Sequence, residues 1–226
     1  KAVLGVLIAC AAAGIIIGVV TKTGVGLRLA SGLIDLAGGM LLPAMFFTMI
    51  TAIVLGMGVP TTANYVITST IAAPALVQMG VPILAAHMFV FYFGIIADVT
   101  PPVALAAYAG AGISGGNALK TGVHASKLAV AAFIIPYIFV LSPVILMVDA
   151  TPLTLILATL SALAGMIAVS SALCGFLADH CRPYERLLLI IAGLLMIKPG
   201  GTTDLIGCAI FAAILAMQYR RMKAST

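Results

Sequence analysis

Two short segments of this chain carry residue types that could hold an ion within an apolar protein. The first is Gly56-Met-Gly-Val-Pro-Thr-Thr-Ala-Asn64, and the second is Asp98-Val-Thr-Pro-Pro102. Proline lacks a backbone N–H and ends a helix, whereas glycine allows the backbone to approach an ion closely. A helix break exposes carbonyls on one side and N–H groups on the other, so it can offer both a cation site and an anion site.

The first segment combines a flexible backbone with side-chain oxygens. Gly56 and Gly58 would let the backbone approach an ion, and three polar side chains follow them. Thr61, Thr62 and Asn64 could ligate a cation through oxygen, or could cap the next helix in a packed turn that binds nothing. The residues alone leave both interpretations open.

The second segment predicts free carbonyls beside a hydroxyl and a carboxylate. Pro101 and Pro102 would leave the carbonyls of Ala97 and Asp98 without helical partners, and Thr100 lies next to them. Oxygen-only ligand sets suit hard cations such as sodium. The Asp98 carboxylate could ligate a cation, carry a proton, pair with another residue or serve as a structural hydrogen-bonding group.

The composition places these segments in a membrane. Hydrophobic residues make up 63% of the 226 and charged residues 8%, with a mean hydropathy of +1.28. These values exclude a soluble globular domain, a disordered chain and a nucleic-acid-binding domain. The net charge of +5 comes from short basic clusters between apolar runs, which indicate membrane topology. The fold class that follows is an all-α integral membrane protein, with the lipid bilayer as its surroundings.

Both breaks lie in a stretch almost without charge. Between Asp35 and Lys120 the only charged residue is Asp98. Irregular backbone at membrane depth is stable only when it is buried in protein or lines a wet cavity. We therefore predict a helical hairpin over residues 41–79, with limbs at 41–55 and 65–79 and its tip at 56–64. The hairpin could be re-entrant, or its limbs could be two ordinary spanning helices.

A broken helix is predicted after the hairpin, over residues 81–116. Its break lies near 98–102, and Gly115, Gly116 and Asn117 form a helix stop followed by a new N-cap. An interfacial helix at 118–127 and spans at 2–20, 128–148 and 153–178 complete the bundle, with shorter apolar segments at 187–197 and 205–219. The larger basic set, which marks the cytoplasmic face, is Lys120, Lys127, Arg182, Arg186, Arg220, Arg221 and Lys223.

The segments GMGVPTTANYVITSTIAAPAL and FGIIADVTPPVALAAYAGAGISG resemble the large membrane subunit of tripartite ATP-independent periplasmic (TRAP) transporters. The similarity is strongest to the fused-permease type, whose partner is a TAXI-type solute receptor. It covers residues 1–150 as a second-repeat transport region, and residues 151–226 resemble the additional C-terminal helices of that type. Ala104 stands where the family pattern has glycine, two positions after the second proline.

The resemblance implies a sodium-driven, elevator-type importer of small organic anions (carboxylates) rather than an enzyme. Such a permease spans the bacterial or archaeal inner membrane several times and receives its solute from a periplasmic TAXI-type binding protein. The implied sodium ligands are Gly56, Gly58, Thr61, Ala97, Asp98 and Thr100. The implied substrate contacts are Thr61, Thr62, Asn64, Pro102 and Ala104.

The chain matches one of the two repeats of that fold, so the remaining N-terminal part of the same permease is an expected partner. The first methionine is Met40, which fits a piece of a longer protein. Two alternatives stay open. One is a proton-coupled transporter of another family that uses Asp98, and the other is a non-transporting membrane scaffold whose breaks are packing kinks.

Overall fold

The computed structural model describes residues 2–101, 104–197 and 201–225, and within these ranges the regular structure is entirely helical. The predicted all-α fold class is thus confirmed. The chain divides into two compact units, Lys1–Val140 and Leu141–Thr226.

The first unit contains the predicted hairpin and broken helix. Its helices are α1 (Ala2–Thr23), α2 (Val25–Leu36), α3 (Leu41–Leu55), α4 (Thr61–Ile71), α5 (Ala73–Gln78), α6 (Ile83–Ile96), α7 (Leu105–Ser114), α8 (Ala118–Leu128) and α9 (Val130–Leu141). The hairpin corresponds to α3, α4 and α5. The broken helix corresponds to α6 and α7, with a short 3₁₀ helix, Ala97–Val99, after α6.

The second unit contains a 3₁₀ helix, Pro143–Leu146, and three longer helices: α10 (Pro152–Cys174), α11 (Pro183–Ile197) and α12 (Gly201–Ser225). Glycines let these helices approach one another. A Cβ added at Gly165 on α10 would lie 3.0 Å from the carbonyl oxygen of Gly193 on α11. The Ser161 hydroxyl also donates to the Met196 carbonyl across this contact, at 2.9 Å.

By length and composition, three helices of the described chain could cross a membrane. They are Ala118–Leu141, which comprises α8 and α9 taken together, Pro152–Cys174 and Gly201–Lys223. The pair Gly14–Val20 and Val25–Leu36, bent by 71°, would be a fourth if it acts as one span. Many apolar side chains point away from the protein, and Ile113 on α7 is 91% exposed. Such surfaces suit a surrounding of lipid rather than water.

The end of α9 differs from the sequence prediction. The predicted span at 128–148 stops at Leu141, and Ser142 leaves the helical conformation with φ −136° and ψ 75°. Pro143 accounts for this stop because proline disfavours the helical conformation in the residue before it. The predicted stop and start at 115–117 are confirmed. Gly115 adopts φ +70°, and the Asn117 side chain accepts the Lys120 N–H at 3.0 Å.

Aromatic packing holds the first half of the broken helix in place. Phe89 and Phe93 of α6 are fully buried, and their ring centroids lie 4.8 Å apart. Tyr137 of α9 contacts both rings, at 5.4 and 6.0 Å. On the hairpin side, the Tyr65 hydroxyl forms a 2.9 Å hydrogen bond with His87 Nδ1. These contacts fix α6 relative to both the hairpin and α9.

Candidate functional site

The tip of the hairpin is a five-residue turn. The helix α3 ends at Leu55, and the N–H of its C-cap residue Gly56 donates to the Ala52 carbonyl at 2.9 Å. Gly58 adopts φ +71°, a left-handed conformation that glycine reaches at low cost. Pro60 has an extended ψ of 142° and precedes the first residue of α4. Glycine and proline thus turn the chain between the two limbs.

The second limb begins earlier than predicted, at Thr61 instead of residue 65. The Asn64 N–H donates to the Pro60 carbonyl at 2.9 Å, which places Thr61, Thr62 and Asn64 in the first turn of α4. No side chain caps this helix, so the capping role considered for the three residues is wrong. Pro60 is the N-cap residue, and its extended ψ ends the turn directly before Thr61, so the helix begins there.

The three polar side chains have different surroundings. Thr61 and Thr62 are exposed, whereas Asn64 is 2% exposed. Asn64 lies between Gly56 at the tip and Gly94 of α6. A Cβ at Gly56 would be 2.8 Å from Asn64 Nδ2, and a Cβ at Gly94 would overlap the same atom. The amide therefore occupies space that only glycine leaves open, and it joins the tip to α6.

Within the described part of the chain, the side-chain oxygen of Asn64 lacks the hydrogen bond that a buried polar atom usually makes. Asn64 Oδ1 is buried and has no hydrogen-bond partner among the described residues. Leaving a buried acceptor unpaired costs about 1–3 kcal/mol, so such an atom calls for an explanation. Thr48 Oγ1 on α3 is likewise buried and unpaired. The unpaired Asn64 oxygen, next to Gly56 at the tip, is a suitable ligand for a cation.

At the break after α6, more carbonyls accept hydrogen bonds than the sequence predicted. The Thr100 N–H donates to the Ala97 carbonyl at 3.3 Å, and the Thr100 hydroxyl donates to the Ile96 carbonyl at 2.7 Å. The expectation of a carbonyl left without a partner at Ala97 is thus wrong. In a 3₁₀ turn the carbonyl accepts an N–H three residues later instead of four. The Ala97 carbonyl is therefore paired although Pro101, four residues later, has no N–H to donate.

The chain resumes its helix through a strained residue. Ala104 is buried and adopts φ +40° and ψ 43°, a conformation that costs an L-residue about 1–2 kcal/mol. Its N–H donates to the Thr100 carbonyl at 3.1 Å, and α7 starts at the next residue. The sequence position at which the family pattern has glycine is therefore one where glycine would be less strained. Pro102, a predicted substrate contact, lies outside the described residues.

The helix α8 closes over the break, which the sequence did not indicate. Ser126 Oγ lies 3.1 Å from the Val99 carbonyl oxygen and 3.0 Å from that of Gly122. A Cβ added at Gly122 would lie 3.3 Å from the side chains of both Pro101 and Ala104. The small residues Gly122 and Ser126 share one face of α8, one turn apart. This spacing is the sequence feature that could have indicated close packing of α8 against another segment.

The structure brings the tip to α6 but does not bring all predicted site residues together. Gly56, Asn64 and Gly94 are in contact. Within the described ranges, no hydrogen bond links Thr61 or Thr62 to Asp98, which is partly exposed. Among the described residues, no group of three or more His, Cys, Asp or Glu side chains is arranged so that it could hold a metal ion. The candidate site thus consists of neutral oxygens and one carboxylate.

Residues 1–154 match the family described as tripartite ATP-independent periplasmic transporter, DctM component. The chain belongs to the DctM family. The matched region contains both the hairpin tip and the broken helix, so the site described above lies wholly within it. Neither the curated proteins nor the solved structures include a match to this chain.

Membership of the DctM family gives the fold a functional class. The protein is a TRAP transporter permease, and its apolar helices are those of a multi-pass membrane protein. In this class a periplasmic protein and a membrane component act together. A helix broken inside a transporter is a common place for substrate and coupling ions.

Proposed function

We propose that this DctM protein is the permease of a sodium-driven importer of small organic anions, carboxylates in particular. The observation that supports this proposal is the buried, unpaired Asn64 Oδ1 at the contact between hairpin tip and α6. An oxygen without a proton partner suits a cation, and sodium is a hard cation that prefers oxygen. The burial of Asn64 favours an ion rather than a larger organic anion as its partner.

The proposed sodium ligands come from both breaks. The tip offers the carbonyls of Gly56 and Gly58 and the exposed hydroxyl of Thr61. The second break offers Ala97, Asp98 and Thr100. The Ala97 carbonyl already accepts one hydrogen bond, but a carbonyl oxygen has two lone pairs and can also face an ion. We therefore retain these six residues as ligand candidates and add Asn64.

The proposed anion site uses the beginnings of two half-helices. Thr61 and Thr62 form the first turn of α4, and Ala104 immediately precedes α7. The N-terminal end of a helix carries a partial positive charge and unpaired N–H groups, which attract carboxylates. Pro102 remains a candidate contact on the basis of the family resemblance. Binding and release of ion and anion involve no covalent step, so we propose no enzymatic activity.

We further propose the partners that such a permease needs. A periplasmic TAXI-type solute-binding protein would deliver the anion, and the N-terminal part of the same permease would supply the other repeat. The assembly would lie in a bacterial or archaeal inner membrane. The pairing of repeats in related transport folds supports this arrangement, because the site forms where two repeats meet.

Uptake by the complete transporter tests the proposal. The permease, including its N-terminal part, is reconstituted in vesicles with its receptor, and uptake is measured across a sodium titration. Thr61→Val and Thr62→Val each remove an oxygen at nearly constant volume. At least one should raise the sodium concentration for half-maximal uptake about fivefold, the effect of about 1 kcal/mol.

Thr159→Val is the matched control, because Thr159 is exposed on α10 and its hydroxyl donates only to the Leu155 carbonyl within the same helix. Its sodium titration should equal that of the unmodified protein. Uptake that needs no sodium and follows a pH gradient would support the proton-coupled alternative. Absence of any receptor-dependent uptake by the unmodified assembly would support the scaffold alternative.

A further inference from the structure

One end of the second unit is held together by a completely buried glutamine. Gln218 on α12 accepts the N–H groups of Ala178 and Asp179 through Oε1, at 3.1 and 3.2 Å. Its Nε2 donates to Glu185 Oε2 on α11 at 3.0 Å. The loop that follows α10 is thereby fixed against the start of α11 and the last turns of α12.

Arg221 engages both carboxylates at this end. Its Nε lies 2.7 Å from Asp179 Oδ2, and its Nη1 lies 3.1 Å from Glu185 Oε1. Its Nη2 donates to the His180 carbonyl at 2.8 Å. The backbone N–H of His180 and the Arg221 guanidinium together hold the pKa of Asp179 below its ordinary value, so this carboxylate stays ionised. Both acidic groups are consequently used inside the unit.

Four further cations surround this buried cluster, and each is exposed. They are Arg182, Arg186, Arg220 and Lys223. Arg186 donates to the Ala172 and Leu173 carbonyls at the end of α10 and forms no ion pair with a carboxylate of the described residues. In the described part of this unit, both ion pairs are made by Arg221, so no carboxylate neutralises the four exposed cations. This end therefore carries an excess of positive charge.

An apolar groove lies beside two of these cations. Tyr219, Arg220, Met222 and Lys223 line a space of about 420 Å³ on the last turns of α12. Tyr219 is 60% exposed, and Tyr184 near the start of α11 is 49% exposed. Tyrosine is typical of the level at which lipid headgroups meet hydrocarbon. Cationic groups next to an exposed apolar lining match the two parts of a phospholipid.

The position of the groove at the end of a candidate membrane-spanning helix favours a lipid over other anions. Gly201–Lys223 is apolar and long enough to cross a bilayer, and the groove lies at its C-terminal end. The end of a spanning helix reaches the headgroup level, where phosphates are present at high local concentration. Basic residues at that level are attracted to anionic lipids.

We propose that the C-terminal end of the second unit binds an anionic phospholipid. Arg220 and Lys223 contact the phosphate, Tyr219 and Met222 contact the acyl chain, and the neighbouring Arg182 adds attraction. The proposal goes beyond transport, since it depends on the family's membrane location and not on sodium or on the transported anion. It assigns the C-terminal helices a role in anchoring the permease to a particular lipid.

Native mass spectrometry of the full chain in detergent tests the site. Phosphatidylglycerol and phosphatidylcholine with identical acyl chains are titrated separately, and the bound fraction gives each affinity. We expect at least tenfold tighter binding of phosphatidylglycerol. The double variant R220Q/K223Q should weaken its binding about thirtyfold, about fivefold for each cation. Neither side chain belongs to the Gln218 cluster, so the variant should fold.

The matched control is K120Q/K127Q, which removes the same charge from two exposed lysines of α8 and should leave the tight binding unchanged. Inorganic phosphate at millimolar concentration should not displace the lipid, because it lacks the acyl chain. Equal affinity for the two lipids in the unmodified protein would overturn the proposal. So would displacement by phosphate, an unchanged affinity in R220Q/K223Q, or an equal loss in K120Q/K127Q.

Discussion

Asn64 lies against Gly94 so closely that a single added carbon at residue 94 would overlap the amide nitrogen of Asn64. This contact joins the hairpin tip to the first half of the broken helix, two elements that are separate in sequence. The Tyr65–His87 hydrogen bond reinforces the same junction one residue further along the hairpin limb. Ligand-dependent movement of the tip must therefore be transmitted to α6 or must separate these surfaces.

Gly94→Ala is predicted to destabilise the protein by about 1–3 kcal/mol, because overfilling a packed contact forces neighbouring atoms to move. Asn64→Ala removes the atoms that the new methyl group would meet. The two substitutions should therefore be coupled by at least about 1 kcal/mol, with Gly94→Ala costing less in the Asn64→Ala background. Thermal unfolding of the four proteins in detergent measures the coupling.

Gly112→Ala on α7 is the control, since a Cβ there would meet nothing within 4 Å. It should be neutral or stabilising by up to about 1 kcal/mol, because alanine favours a helix more than glycine does. Equal destabilisation by Gly94→Ala in both backgrounds would show that the Asn64 contact is not what makes glycine necessary.

Ala104→Gly is predicted to stabilise the protein. Relief of the left-handed conformation gains about 1–2 kcal/mol, and the greater freedom of glycine in the unfolded chain offsets about 0.4–1 kcal/mol. The net gain should be about 0.5–1 kcal/mol, measured as a higher midpoint of thermal unfolding. Ala106→Gly, an exposed change within the same helix α7, should instead lose about 1 kcal/mol. A loss of stability in both variants would contradict the strain assigned to residue 104.

Local signals explain which features could be predicted from the sequence. Glycine and proline near residues 56–60 and 98–102 act on the backbone within one turn, so both breaks were foreseen. The stop at Gly115 and the cap at Asn117 follow from the same short-range chemistry. The transporter class came from the resemblance of these segments to a known family, and the family match confirms it.

Contacts between distant segments could not be predicted. The space that the Asn64 side chain occupies depends on Gly94, which lies on another helix. Nothing in the sequence indicates that these two residues are in contact. The Ser126–Val99 contact likewise joins α8 to the break. The predicted limb start at residue 65 was four residues late because polar residues were assigned to the turn. In the structure Pro60 precedes the helix as its N-cap residue, and the polar residues Thr61, Thr62 and Asn64 form the first turn.

Gln218→Leu is predicted to destabilise the second unit by about 2–4 kcal/mol. The change keeps most of the volume but leaves the partly buried N–H groups of Ala178 and Asp179 and the buried Glu185 carboxylate without their partner, and an orphaned buried polar group costs about 1–3 kcal/mol. Thermal unfolding of the full chain, with proteolysis of the loop after α10 as a local readout, checks this. Gln78→Leu, an exposed change at the end of α5, should stay within about 0.5 kcal/mol of the unmodified protein. Similar effects of the two changes would contradict the role of Gln218 as the centre of this cluster.

The Asp98→Asn variant distinguishes sodium from the proton as the coupling ion. Asp98 lies in the 3₁₀ helix at the break and is partly exposed, with no hydrogen-bond partner among the described residues. If sodium binds through backbone and side-chain oxygens, asparagine keeps one oxygen and a similar shape. Sodium-driven uptake should then survive, with a higher sodium concentration for half-maximal uptake. If Asp98 carries a proton, the same change removes the group that carries it and coupling should disappear.

The complete transporter with its receptor is therefore assayed at fixed pH across a sodium titration, and at fixed sodium across a pH gradient. Asp98→Ala serves as the companion variant, because it removes both oxygens and should raise the sodium requirement further than Asp98→Asn does. If an oxygen of Asp98 ligates sodium directly, the sodium concentration for half-maximal uptake should rise from the unmodified protein to Asp98→Asn and again to Asp98→Ala. If the two variants match the unmodified sodium titration, Asp98 is not a ligand. If uptake follows the pH gradient without sodium and vanishes in Asp98→Asn, the coupling ion is the proton.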